Sequence, residues 1–153
     1  MKGYLNNESA TAATIKKGGW LYSGDIAYYD EQLRFYIVDR LKELIKVKGF
    51  QVAPAELEDL IRSHEAVLDV AVVGIPDEMK GEVPLAFIVK KQGVNDKRLL
   101  EDIHKFVNKH VAEYKQLAGG IRILDFIPKS ASGKILRKDL RAPYWEGKER
   151  NVS

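Results

Sequence analysis

Val67-Leu68-Asp69-Val70-Ala71-Val72-Val73-Gly74-Ile75, closed by Pro76-Asp77, is dominated by β-branched and small apolar residues. It is too short for a typical helix and is bounded by turn formers, so it reads as a largely buried strand. Val83 to Lys90 reads as a second strand of the same kind. A turn signal at Gly81 lies in the short connection, compatible with a hairpin-like return. Upstream, Pro54 suits the first position of a helix, and Glu56 and Glu58 fall near the positive end of its dipole. Leu57, Leu60 and Ile61 share one face, which predicts an amphipathic helix from Pro54 to about His64. Before it, Ile45-Lys46-Val47-Lys48 alternates apolar and basic, placing both lysines on one face of a short strand.

Downstream, Leu99, Leu100, Ile103, Phe106, Val107 and Val111 form an apolar stripe, so a helix is expected from Arg98 to about Gln116. Gly119-Gly120 stops it, and Ile121 to Ile127 gives a last strand. From residue 41 the order is therefore β-α-β-β-α-β, followed by a basic tail with a short helix from Lys138. That order implies an α+β fold, a small mixed sheet with two helices on one face. It is preceded by a β-hairpin, Ile26 to Tyr29 and Phe35 to Val38 around Asp30-Glu31-Gln32. An isolated hairpin is marginal and normally joins a larger sheet. Met1 to Lys17 is polar, with at most a short helix.

The chain has 153 residues, 45% hydrophobic and 31% charged, enough for one domain with an appendage. No apolar run approaches the ~20 residues that span a bilayer. There is no cysteine, hence no disulfide framework and no thiolate metal site. An intracellular location, cytoplasmic or peroxisomal, is expected, although Asn151-Val152-Ser153 is not a Ser-Lys-Leu type address. The net charge of +3 is unevenly placed. Arg40 to Lys48 carries +3 and Lys129 to Arg141 carries +4, leaving −4 for the remainder. Concentrated basic segments suit an anionic ligand such as a nucleotide, a phosphorylated cofactor or nucleic acid.

Pro128-Lys129-Ser130-Ala131-Ser132-Gly133-Lys134-Ile135 is a proline-opened Ser/Gly loop that presents a lysine. Lys134 offers a compact point charge for a phosphate or carboxylate. Other chemistry is missing. Pro128 stands where a P-loop needs its first glycine, and Ile135 where it needs Ser or Thr. His104 and His110 lie six apart on the expected helix, unsuited to a shared metal, so no metal ligand is assigned. Neither GxSxG nor GxGxxG occurs.

Gly19-Trp20-Leu21-Tyr22-Ser23-Gly24-Asp25-Ile26-Ala27, the stretch Asp39 to Pro54, Val67 to Asp77, Gly81-Glu82 and Pro128 to Lys134 resemble, in order and spacing, the C-terminal part of the adenylate-forming (AMP-binding) superfamily. That superfamily includes acyl-CoA synthetases, 4-coumarate-CoA ligases and beetle luciferases. The resemblance implies that residues 1–38 end a large adenylation domain, 39–40 form a hinge, 41–142 form a lid, and 143–153 a flexible tail. The large domain would be this chain's partner, together with a small carboxylic acid, ATP with Mg, and CoA. Without it the chain is expected to be inactive.

The resemblance also implies roles. Asp25 would accept hydrogen bonds from the ribose, Arg40 and Gln51 would contact the nucleotide, and Asp39 with Arg40 would serve as the hinge. Lys134 would meet the α-phosphate and the carboxylate during adenylation. After domain alternation, Lys46, Lys48 and Gly49 would line the CoA face, Gly49 permitting close backbone approach. Arg137, Lys138 and Arg141 are expected to be solvated tail charges or to steer phosphate, and no specific role is assigned to them. A luciferase, which follows adenylation with oxidation, fits the same lid. A basic nucleic-acid-binding module is the remaining alternative, and its basic segments carry no aromatics for base stacking beyond Phe50.

Overall fold

The structure, a computed structural model, describes residues 1–146. The chain divides into two compact units between Lys42 and Glu43.

In the first unit, helix α1 (Glu8–Thr14) is capped by Asn7, whose side chain accepts from the Ala10 amide at 2.9 Å. Strands β1 (Asp25–Tyr29) and β2 (Phe35–Arg40) form the expected antiparallel hairpin. Asp30 builds its turn. One carboxylate oxygen accepts from the Gln32 and Arg34 amides, and the other from Arg34 Nε and the Tyr36 hydroxyl. The Arg34 amide, aided by these other donors, holds the Asp30 carboxyl below the ordinary aspartate range. None of the described residues in this unit is buried. Tyr29, Phe35, Ile37 and the stacked Tyr28 are all more than half exposed.

The second unit is built on a sheet of order β4-β3-β6-β5, with β7 (Ile121–Ile123) pairing parallel to β6. Strands β5 (Val67–Asp77) and β6 (Gly81–Lys90) form its antiparallel centrepiece. Asp77 closes their turn by accepting from the Met79 and Lys80 amides, so β5 runs on through Pro76. Pro84 is tolerated inside β6 because its nitrogen faces a gap. On that edge β6 pairs with β3 (Ile45–Val47) only at Gly81 and with β7 from Ala86 onward.

Helices α2 (Pro54–Arg62) and α3 (Asp96–His110) bury Leu57, Ile61, Leu99, Ile103 and Val107 against Val70, Val72 and Ile88. The sequence reading starts α3 too late because Asn95 is its cap, accepting from the Arg98 amide. It ends α3 too late because Val111 is extended and a 3-10 turn follows at Glu113–Lys115. The short helix expected from Lys138 is present and begins one residue earlier. Helix α4 (Arg137–Trp145) packs Leu140 and Tyr144 on the opposite face of the sheet, against Ala71, Val73 and Phe87. Trp145 Nε1 donates to the Gly74 carbonyl at 2.9 Å. A boundary at 142 thus falls within a helix, and residues 147–153 of the expected tail lie outside the described residues. No helix among the described residues is long and apolar enough to cross a membrane.

The strand expected at Ile45 to Lys48 is half of a tighter hairpin. Strand β4 (Phe50–Val52) returns directly against β3. Lys48 (φ 48°) and Gly49 (φ 84°) form the two-residue turn, both in the left-handed region as a type I′ hairpin requires. Lys48 is therefore a turn residue, and it does not share a strand face with Lys46.

A tight fit sits behind this hairpin. Glu82 is buried, and its Oε2 accepts from the Lys46 amide at 3.3 Å. A Cβ on Gly74 would lie 2.4 Å from that oxygen and 3.1 Å from Ile45 Cγ2. Gly74→Ala should displace the carboxylate and lower unfolding free energy by about 1–3 kcal/mol, the cost of disturbing a buried hydrogen-bonded acceptor. Urea denaturation measures this, and a change under ~0.5 kcal/mol would show that Glu82 shifts freely.

Candidate functional site

Lys134 stands on a small, well-tied hairpin. Lys129 and Ile135 form an antiparallel bridge. The Ser130 amide donates to the Lys134 carbonyl at 2.8 Å, and the Leu136 amide to the Pro128 carbonyl at 2.9 Å. The Lys134 amide donates to Ser130 Oγ at 3.2 Å, and Gly133 turns the chain at φ 79°. This loop is tied by its own hydrogen bonds.

Both arms are fixed to the body. Lys129 Nζ reaches Asp69 on β5 at 2.6 Å. Arg137 meets both oxygens of Glu58 on α2 at 2.8 Å. Glu58 Oε1 also accepts from the Val72 amide at 2.9 Å, covering an edge donor of β5. Arg137 and Glu58 are therefore interior groups, in contrast to the solvated cation expected of Arg137. Of the three cations on and beside this loop, Lys134 alone meets no acid among the described residues. Its side chain is exposed.

The β3–β4 hairpin lies at the other edge of the sheet. Lys46 and Gln51 are cross-strand partners on one face, while Ile45, Val47 and Val52 on the other face enter the core. The turn residues Lys48 and Gly49 are exposed. Beside them is a cavity of about 200 Å³ lined by Val47, Lys48, Phe50, Lys80, Glu113 and Tyr114. Phe50 and Tyr114 stack at 4.5 Å, 19° from parallel. Lys115 holds this wall to α2 through Glu56, at 2.6 Å and 2.7 Å. The sequence reading missed Lys80 and Tyr114. They come from separate segments, and no local pattern joins them to Phe50.

In the first unit, Asp25 and Arg40 are cross-strand partners at the end of the hairpin, with Arg40 Nε 3.1 Å from Asp25 Oδ1. Asp39 Oδ1 accepts from the Arg40 amide at 2.7 Å. Both expected hinge residues thus lie in the last two positions of β2. A cavity of about 430 Å³ opens beside Asp25, lined by Trp20, Tyr22, Ser23 and Leu41 among others. No cluster of three potential metal ligands occurs among the described residues.

The profile of the AMP-binding enzyme C-terminal domain family matches residues 56–134, just over half of the chain. This chain belongs to that family. The AMP-binding C-terminal domain is 57% identical to 4-coumarate–CoA ligase 2 of Nicotiana tabacum over 96% of its own length and 27% of the ligase. It is 53% identical to luciferin 4-monooxygenase of Photuris pensylvanica over 98% of its length and 27% of that protein. Its fold matches the o-succinylbenzoate CoA synthetase of Bacillus subtilis, solved with an acyl-adenylate. The TM-score is 0.80 at 36% identity, covering 92% of this chain and 28% of that one. The domain thus spans about a quarter of the length of these relatives. Its α+β architecture is that of the expected family, and α4 covers the second sheet face, where the sequence reading placed no helix.

Proposed function

We propose that this chain is the lid of an ATP-dependent carboxylate–CoA ligase, which joins acid, ATP and CoA into acyl-CoA, AMP and pyrophosphate through an acyl-adenylate. The observation that carries this reading is the division of labour across one sheet. An unpaired lysine on a braced loop stands at the β5 edge, and a glycine turn with a cationic, aromatic-walled cavity stands at the β4 edge. Two reactions could each use one edge, with the lid turning between them.

In the first reaction Lys134 neutralises charge at the α-phosphate and carboxylate as pyrophosphate leaves. Asp25 accepts from the ribose hydroxyls in the cavity beside Trp20 and Tyr22, while Arg40 and Gln51 contact the nucleotide. ATP brings Mg, held by a large domain. Asp39 and Arg40 take up the backbone change of the turning lid. In the second reaction Lys46, Lys48 and Gly49 line the path of the CoA thiol arm. The stacked Phe50–Tyr114 wall, flanked by Lys48 and Lys80, offers an aromatic surface and two cations to the phosphorylated end of CoA.

The large domain is the partner this reading requires. The exposed Tyr29, Phe35 and Ile37 on one face of the hairpin, with Tyr28 on the other, support it, since a unit with no buried residue cannot hold this apolar surface in water by itself. An intracellular setting, cytoplasmic or peroxisomal, goes with these substrates.

Substrate choice decides between the ligase and the oxidative reading that the luciferase relative favours. The full-length protein should form CoA thioesters from hydroxycinnamic or fatty acids, read by chromatography. Light from luciferin, with no thioester from any acid, would overturn the ligase. Salt-sensitive retention of nucleic acid, with neither reaction, would turn the reading toward a basic binding module.

A further inference from the structure

We propose that the buried Glu58–Arg137 ion pair is a positioning device for Lys134, setting where the loop lysine enters the adenylation site. This rests on the reading of Lys134 given above. The pair differs from ordinary surface pairs in burial and in geometry. The Glu58 side chain is only 6% exposed and Arg137 18%. Both carboxylate oxygens accept at 2.8 Å from one guanidinium nitrogen, Arg137 Nη2, while the buried Arg137 Nε meets no hydrogen-bond partner among the described residues. Glu58 is itself oriented by the Val72 amide at 2.9 Å, so the carboxylate is fixed to both α2 and β5 before Arg137 meets it.

Arg137 transmits that fixed point to Lys134 along a short, fully tied path. Arg137 opens α4. Leu136, one residue back, is tied to the Pro128 carbonyl. Ile135 bridges Lys129 and packs against the second core cluster, and Lys134 follows with both backbone polar groups bonded to Ser130. A shift of the guanidinium therefore moves the lysine backbone with little slack. The other arm is held by Lys129–Asp69, with side chains 39% and 24% exposed and correspondingly weaker. A buried ion pair is a weak device for stability, since apolar replacements often serve as well. Its use here is positional, because a carboxylate already held by the Val72 amide fixes the guanidinium nitrogen that bridges its two oxygens.

The test uses the full-length protein carrying Glu58→Gln with Arg137→Met. The glutamine oxygen can still accept from the Val72 amide, and neither member of the pair keeps its charge without the other. Adenylation, read by ATP–pyrophosphate exchange, should fall about 10²-fold in kcat, the scale on which a misplacement of about an ångström acts. KM for ATP, thioester formation from a supplied acyl-adenylate and the melting curve should stay unchanged. Arg137→Lys keeps the charge and protects folding but places its ammonium on a shorter side chain, so it should show a smaller loss confined to adenylation. Parallel loss of both half-reactions, or full adenylation in either folded variant, would overturn the proposal. Lys134→Ala run alongside separates the layers. If it cripples adenylation while the pair variants do not, only the positioning role falls. If it leaves adenylation intact, the role of Lys134 falls and the positioning role falls with it.

Discussion

Replacing Lys134 by alanine in the full-length protein should cut acyl-adenylate formation by about 10²–10³-fold while leaving thioester formation from a supplied acyl-adenylate nearly unchanged. The size follows from removing one preorganised group at developing charge, roughly 3–4 kcal/mol of transition-state stabilisation. The selectivity follows from placement. Lys134 projects from a loop anchored at the β5 edge, whereas the proposed CoA face is at the β4 edge. The substitution should not disturb folding, because the exposed ammonium meets no acid among the described residues and the loop is tied through backbone atoms. Pyrophosphate exchange and a single-turnover thioester assay measure the two halves. Equal loss in both would defeat the two-edge reading.

Gly49→Leu should produce the reverse pattern. A Cβ at Gly49 meets nothing of this chain within 4 Å, so a leucine projects outward into the space proposed for the CoA arm. Thioester formation should fall by about 10²-fold, comparable to a misplaced reacting group, with adenylation retained. The left-handed φ of 84° adds local strain of about 1–2 kcal/mol. Gly49→Asn is the control, since asparagine adopts that conformation readily and carries less bulk. If asparagine and leucine damage thioester formation equally, turn geometry is responsible and not obstruction. If leucine leaves the second half-reaction intact, the turn does not line the CoA path.

The strands and the first helix of the second unit were legible because their signals are local. Val67 to Ile75 alternates in burial partners but is apolar on both faces, as a strand covered by helices on both sides must be. That two-sided apolarity already implied a second covering layer, which the sequence reading did not use when it assigned helices to one face. The β3–β4 turn was hidden for a different reason. Lys48 is a poor left-handed residue, and the usual Asn-Gly or Asp-Gly cue is absent. Glu58 was assigned to the helix dipole on its position near the N-terminus of α2, a correct local statement that gave no hint of its partner.

Local pattern alone determined the order of strands and helices, the exposed lysine loop and the family to which they belong, since periodicity, turn chemistry and motif spacing act between near neighbours. Tertiary structure alone decided which charges are spoken for. Glu58 and Arg137 are 79 residues apart, and Lys129 and Asp69 are 60 apart. Only the folding of α4 and the loop onto the β5 edge pairs them, and of the loop's cations that leaves Lys134 meeting no acid among the described residues. The cavity at Phe50, Lys80 and Tyr114 has the same origin. Strand β4, the β5–β6 turn and the 3-10 turn at Glu113–Lys115 converge there, and desolvation and shape exist only once they meet.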